Sequence, residues 1–246
     1  MLPNPELALK TINILLNEIN RLKKNNFNGK FYFDVRKIAN RINIERKGKI
    51  NAILQFMKKN NIIEYDSLFK KFYVERKDEE KLSRLFNLIV NNLYIVKYYK
   101  PLDHIEPPIS ILKLRKEGDF ELLALAYREN VWKPIYTISN NTFKIIFRQF
   151  KRTGFSIYNG DKEILNMKRY GITRPLEGYY MNIKIELRRA KGRELKVISK
   201  GDGNVLALMR GYGFERAIFL FNDIIREISI PLAVTLFAIK QLDVII

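Results

Sequence analysis

Hydrophobic positions repeat with two different periods along this chain, and the change of period divides it. Over the first 77 residues the spacing is helical. Ala8, Ile12, Leu15, Leu16, Ile19 and Leu22 form one stripe from about Pro5 to Lys24, with Asn4 placed as a cap and Pro5 suited to a first turn. "NNFNG" breaks the pattern and a short apolar "FYF" follows. Asp34 can cap a brief second helix carrying Val35, Ile38, Ala39 and Ile42. After "NIERKG", Ile50, Ile53, Leu54 and Met57 again fall at i, i+3, i+4 and i+7 and predict a third helix. "NNIIEY" and "FYVE" then read as two short strands around a polar-tipped loop, "DSLFKK".

A further stripe, Leu82, Leu85, Phe86, Ile89, Leu93 and Val96, predicts a helix over 78–100 whose acidic start suits the helix dipole. Two uses stay open for that stripe. It could join two chains as a homodimer, or pack on the first helix of its own domain. "PLDHIEPP" then breaks the chain.

From residue 109 the period becomes two. "ISILKLR", "WKPIYT", "FKIIFRQF", "FSIYN", "EILNMK", "YMNIKIELR", "RELKVIS", "NVLALMR" and "RAIFLF" are candidate strands, and "FELLALAY" suits helix or strand. Asn159-Gly160, "GDGN" and "AKGR" suit tight turns. Nine or ten strands spaced 8–12 residues apart predict an antiparallel barrel or sandwich. The final segment, "SIPLAVTLFAIKQLDVII", is of helix length and apolar on every side, so it must be buried. The simplest burial is inside the preceding barrel; the alternative is a helix lying across a sheet edge. The expected organisation is α+β: helical residues 1–77, a connector helix and Pro-rich linker over 78–108, and an antiparallel β domain with a buried apolar C-terminal helix over 109–246.

Charge adds a direction. The net charge is +19, and residues 1–77 hold 17 Lys and Arg against 7 Asp and Glu. Residues 78–107 are nearly neutral, and 108–246 are again basic. Such a field attracts nucleic acid or an anionic membrane surface. The third helix concentrates it, with Arg46, Lys47, Lys49, Lys58 and Lys59 around its apolar stripe.

The order helix, short strand, helix, turn, helix, hairpin resembles a winged helix-turn-helix domain, and "LQFMKKNNIIE" is similar to the end of a recognition helix leading into a wing. The resemblance implies a third helix in the major groove with its N-terminal half at base edges. Arg46, Lys47 and Lys49 stand at that end. Asn51 and Gln55, four apart on the outward face, are types that pair with adenine. Lys58 follows on the same helix, and Lys70 and Lys71 at the wing would meet phosphate. The competing use of such a domain is protein contact, with these charges merely solvated. Toward the C-terminus, a strand, "GDGN", "VLALMRGYG", a strand and "IPLAVTLFAIKQLD" together resemble the tubby, scramblase and LURP-one superfamily. That resemblance implies a closed barrel threaded by the apolar helix. It supplies no transferable active site; some members bind phosphoinositide headgroups and others are linked to membranes or DNA. The basic loops "KRYGITR" and "RRAKGR" are the nearest candidates for phosphate contact.

Little points to catalysis. There is no Cys, and the lone His104 lies in the Pro-rich segment, where a surface or hinge role is expected. Glu194-Leu195-Lys196 is half of a nuclease-like acidic-x-Lys pattern, but no Asp occurs between Asp161 and Asp202 to complete it. No GxxxxGK[ST] loop occurs. The N-terminus lacks a basic-then-apolar leader, and the longest apolar run falls short of the roughly 20 residues that span a bilayer. The expectation is a cytoplasmic, non-enzymatic, duplex DNA-binding protein without a cofactor, probing DNA through its first domain and sensing a ligand or partner through its barrel. Transcription regulation is the leading role, with plasmid or viral replication initiation beside it. The alternative class is a peripheral membrane or protein adaptor, its basic barrel on anionic lipid.

Overall fold

The computed structural model describes residues 4–25, 29–44, 47–98, 108–116, 119–129, 135–139, 142–148, 154–169, 175–190, 194–212 and 216–242. His104 and the Pro-rich segment lie outside them, as do most of "KRYGITR" and the second half of "RRAKGR". The chain forms two units, Met1–Asn91 with Leu114–Phe120, and Asn92–Lys113 with Glu121–Ile246.

Unit 1 opens with α1 (Pro5–Lys24), whose N-cap Asn4 accepts a hydrogen bond from the Leu7 amide at 3.2 Å. A short strand β1 (Phe31–Phe33) leads to α2 (Val35–Arg41), capped by Asp34 through the Arg36 amide at 2.7 Å. α3 (Lys47–Lys59) follows. It stops in a paired C-terminal motif: the Ile62 amide donates to the Met57 carbonyl and the Asn61 amide to the Lys58 carbonyl. Asn61 takes the left-handed conformation this ending needs, φ +54°, which Asn tolerates better than most residues. β2 (Glu64–Asp66) and β3 (Lys71–Val74) then form a hairpin, and the sheet order is β1-β3-β2, antiparallel throughout.

One apolar cluster holds these elements together. Ile12, Leu15 and Ile19 of α1, Ile38 of α2, and Ile50, Ile53, Leu54 and Met57 of α3 are buried in it. Leu114 joins it, and the Asn13 side-chain amide donates to the Lys116 carbonyl at 3.3 Å. α4 (Glu79–Asn92) directs Leu82, Ile89 and Val90 into the same cluster, so these members of its stripe pack within their own domain.

The helix expected over 78–100 ends at Asn92. Leu93–Tyr98 is instead strand β4, hydrogen-bonded on both edges. Asn91 and Asn92 propagate a helix poorly, and the β-branched and aromatic run that follows favours a strand with a partner on each side.

Unit 2 continues with β5 (Ile109–Leu114), β6 (Phe120–Arg128), β7 (Ile135–Ile138), β8 (Phe143–Phe147), β9 (Gly154–Asn159) and β10 (Lys162–Arg169). β11 (Leu176–Tyr180), β12 (Ile183–Ala190), β13 (Glu194–Ser199), β14 (Val205–Tyr212) and β15 (Arg216–Phe221) complete it. The twelve strands from β4 to β15 close into one antiparallel barrel in chain order, sealed where β15 pairs with β4 from Leu220↔Leu93 to Arg216↔Lys97. Alternate residues face the core, for example Phe155 and Ile157, Leu165 and Met167, Leu195 and Val197. "FELLALAY" resolves as strand. β4 and β11 are strands that the period-two reading did not include. The β9–β10 turn is Gly160-Asp161, one residue later than expected, because Asn159 still pairs with Lys162.

The last helix, α5 (Ser229–Leu242), contributes Leu232, Ala233, Val234, Leu236, Phe237 and Ala238 to the cluster of the inward strand residues. Its neighbours are β14, β15 and β4, and also β8 and β9. Its two buried hydroxyls are both satisfied, Ser229 donating to the Arg226 carbonyl and Thr235 to the Pro231 carbonyl, each at 2.8 Å. No described helix is long and apolar enough to cross a membrane.

Candidate nucleic-acid interface

α3 has two chemically separate sides. Ile50, Ile53, Leu54 and Met57 are buried, while Lys47, Lys49, Asn51, Gln55, Lys58 and Lys59 are exposed. It carries no acidic residue, and its first turn holds Lys47 and Lys49, where the helix dipole disfavours cations. Arg46 lies outside the described residues.

The β2–β3 hairpin stands beside this helix. Asn51 and Gln55 share an open cleft of about 390 Å³ with Lys70 and Lys71, walled by Tyr65 and Phe69. The Lys58 ammonium lies 4.8 Å from the Tyr65 ring centroid, a cation–π contact tying the end of α3 to β2. Asn51, Gln55, Lys70 and Lys71 are thus brought together, with Lys58 at their edge. Lys47 and Lys49 sit apart from the cleft, at the other end of the helix.

A set of hydrogen bonds stiffens the hairpin. On one sheet face Tyr32, Tyr73 and Glu64 form a cross-strand row. The Tyr73 hydroxyl donates to Glu64, and Lys77 pairs with Glu64 at 3.1 Å. The Tyr73 bond and then the Lys77 contact hold the Glu64 carboxyl below the usual carboxylate range. The Tyr32 hydroxyl donates to Asp66 at 2.7 Å, and Asp66 also accepts from the amides of Leu68 and Phe69 at 2.9 and 3.2 Å. These bonds, Tyr32's foremost, lower the Asp66 pKa. Lys30 lies over the Tyr73 ring at 4.3 Å.

The carboxylates near the hairpin are therefore engaged, and the lysines elsewhere divide: Lys24 and Lys37 also have no carboxylate partner among the described residues, while others are paired. Away from this face Lys10 pairs with Glu6, Lys23 with Glu79, Lys81 with Asp78 and Arg84 with Glu80, while Arg41 meets the buried Glu18 at 2.5 Å. Among the described residues no carboxylate lies within ion-pair distance of Lys47, Lys49, Lys59, Lys70 or Lys71. On the barrel, several cations are drawn into pairs: Lys184 and Lys200 on Glu177, Arg188 on Glu186, Lys144 on Glu129 and Arg210 on Glu194. No described group of three or more His, Cys, Asp or Glu could hold a metal ion.

Lys59 joins this face, exposed and without a carboxylate partner among the described residues. Two features of the face were not singled out from sequence. Leu68 and Phe69, apolar residues in a presumed polar loop, are 82% and 59% exposed. That these lysines lack a carboxylate partner among the described residues is a tertiary property, and only the absence of acidic residues from α3 hints at it in the sequence.

Comparison with protein families found no family model that matches the chain, and a search of curated proteins found no significant match.

Proposed function

We propose that the chain is a duplex DNA-binding protein in which residues 1–77 act as a winged helix-turn-helix. In this reading α2 and α3 are the helix pair, β2 and β3 the wing, and the order β1-β3-β2 the accompanying sheet. One observation carries it. The acid-free α3 presents Asn51 and Gln55 one turn apart in a cleft shared with Lys70 and Lys71, and the lysines of this face have no carboxylate partner among the described residues. Amide side chains one turn apart suit the edge of adenine, and unpaired lysines suit phosphate.

The barrel is read as tubby-like, with α5 filling it. An eight-stranded barrel is just wide enough to be filled by side chains, so one of twelve strands needs more. α5 is apolar on every side, and its neighbours lie on two separate arcs of the ring. A barrel filled in this way has no lumen for a ligand, so its role is assigned to its outer surface and loops, as a partner-binding module. Transcription regulation is the function this arrangement supports best.

The test is a salt titration of duplex binding by the full chain, beside a Lys47→Ala/Lys49→Ala variant. The wild type is expected to show a steep fall of log K with log salt, and the variant a slope reduced by roughly 0.9 per lost phosphate contact. A salt-insensitive or absent interaction at low salt overturns the reading.

A further inference from the structure

The wing tip presents an apolar pair to solvent that folding does not require. Leu68 is 82% exposed and Phe69 59% exposed, in a four-residue turn between Asp66 and Lys71. The turn is held in place. Asp66 accepts from both tip amides, Lys70 adopts φ +51° to close the turn, and the Phe69 ring meets Tyr32 edge-on at 5.3 Å. A rigid turn that keeps two large apolar side chains in water is built for contact rather than for packing. Its surroundings say with what. Lys70 and Lys71 follow the pair directly, and Phe69 also walls the cleft that holds Asn51 and Gln55.

Resting on the DNA-binding reading above, we infer that Leu68, the more exposed of the pair, is a wedge that enters the minor groove and partly unstacks a base step, with Phe69 braced on Tyr32 behind it. Lys70 and Lys71 hold the flanking phosphates. Minor-groove proteins use apolar side chains in this way, parting neighbouring base pairs and kinking the duplex toward the major groove. The energy of opening falls on the step that is opened. The wedge therefore selects DNA by deformability: pyrimidine–purine steps such as TA, or steps already weakened by a mismatch, are favoured over stiff ones. This specificity comes from the tip and is independent of base-edge contacts by Asn51 and Gln55.

The experiment compares the full chain with a Leu68→Ser/Phe69→Ser variant on duplexes carrying 2-aminopurine at a central TA step, with end labels that report bending by energy transfer. Phe69→Ser removes the edge-on contact with Tyr32, so the melting temperature should fall by a few degrees at most, and circular dichroism checks that the fold is kept. The wild type is expected to brighten 2-aminopurine, shorten the end-to-end distance, and prefer a mismatched duplex by about tenfold over its matched form. The variant is expected to lose all three while keeping the wild-type salt slope, because its lysines are intact. Equal bending and brightening by wild type and variant, or none by either while both bind, overturns the wedge and leaves DNA binding standing. Failure of the wild type to bind any duplex overturns the underlying reading instead. A parallel arm uses vesicles of phosphatidylcholine with phosphatidylserine. Vesicle binding that the variant loses, with DNA binding unchanged, assigns the tip to a membrane and also overturns the wedge.

Discussion

The Tyr32 hydroxyl and the Asp66 carboxylate meet at 2.7 Å across the sheet, from two strands that are not hydrogen-bonded neighbours. β1 and β2 are joined only through β3, so this bond spans the sheet and fixes the base of the β2–β3 turn. The same carboxylate holds the Leu68 and Phe69 amides, which makes it the point on which the order of the tip depends.

Asp66→Ala is therefore expected to loosen the tip while leaving the helical core intact. Amide hydrogen exchange at Leu68 and Phe69 should accelerate at least about tenfold, with little change at Ile53 or Leu54. Tyr32→Phe should give the same pattern more weakly, since it removes one of three bonds to the carboxylate. Unchanged exchange in both variants would show that the turn is held by its backbone alone.

The pH dependence of that bond has a definite sign. Asp66 titrates below its ordinary value, chiefly because of the Tyr32 hydroxyl, so its contribution is complete above the usual carboxylate pKa and fades as pH falls through the depressed one. Tyr32 titrates above its ordinary value because of the same bond, so the contribution is also lost as pH rises through that raised value. Slow exchange at the tip should persist across the whole neutral range and fail at both extremes. Chemical shifts of the Leu68 and Phe69 amides followed over pH would check this. A transition near neutrality would contradict it.

The two halves of the proposed interface, the amides of α3 and the lysines of the hairpin, should fail differently. Gln55→Ala and Asn51→Ala are expected to relax discrimination at one base pair each, by about 1–3 kcal/mol, without altering the salt slope. Lys70→Ala and Lys71→Ala should weaken binding uniformly across sequences and lower the slope by about 1 each. Binding measured against a panel of single-base variants at several salt concentrations separates the two effects.

Much of unit 1 was legible because its signals are local. The stripe Ile50, Ile53, Leu54, Met57 specifies both the helix and its buried side, and Asn4 and Asp34 cap where a short polar side chain can reach the next turn. The barrel's closure was less legible, because no local period records that β15 pairs with β4, more than a hundred residues away. From sequence β4 reads as helix, because Leu93 and Val96 extend the helical spacing of Leu82 and Ile89. Only the partners on its two edges decide for the strand. β11 was hidden by Gly178 in the middle of a five-residue run. At the candidate interface the basic and amide residues were visible in sequence. The exposure of Leu68 and Phe69 is not, since "DSLFKK" reads as a polar-tipped loop and nothing local marks its apolar pair as held in solvent.

α5 gives a test of how the barrel is held together. Phe237 is fully buried and meets Tyr98 of β4 edge-on at 5.2 Å. If α5 fills the barrel as proposed, Phe237→Ala should cost about 3–5 kcal/mol, because a barrel closed by hydrogen bonds cannot collapse onto the space left inside. Urea unfolding checks the value, and a cost under about 1 kcal/mol would place α5 outside the packed interior.

Strand β10 is pressed from both sides at Met167. A Cβ added to Gly178 of β11 would lie 2.1 Å from the Asn166 carbonyl oxygen, and one added to Gly154 of β9 would lie 2.2 Å from the Met167 carbonyl oxygen. Both obstructing atoms are backbone, so neither can swing aside as a side-chain end would. Gly154 also holds φ +147°, a conformation costly for any other residue. Gly178→Ala and Gly154→Ala should each destabilise the fold by more than about 2 kcal/mol, with Gly154→Ala the worse because it adds strain to the clash. Gly201→Ala is the control, since nothing lies within 4 Å of its added Cβ. Urea midpoints should fall for the first two and stay for the third. If Gly178→Ala matched the control, β10 and β11 would have to be spaced more widely than their register, Met167 opposite Gly178, allows.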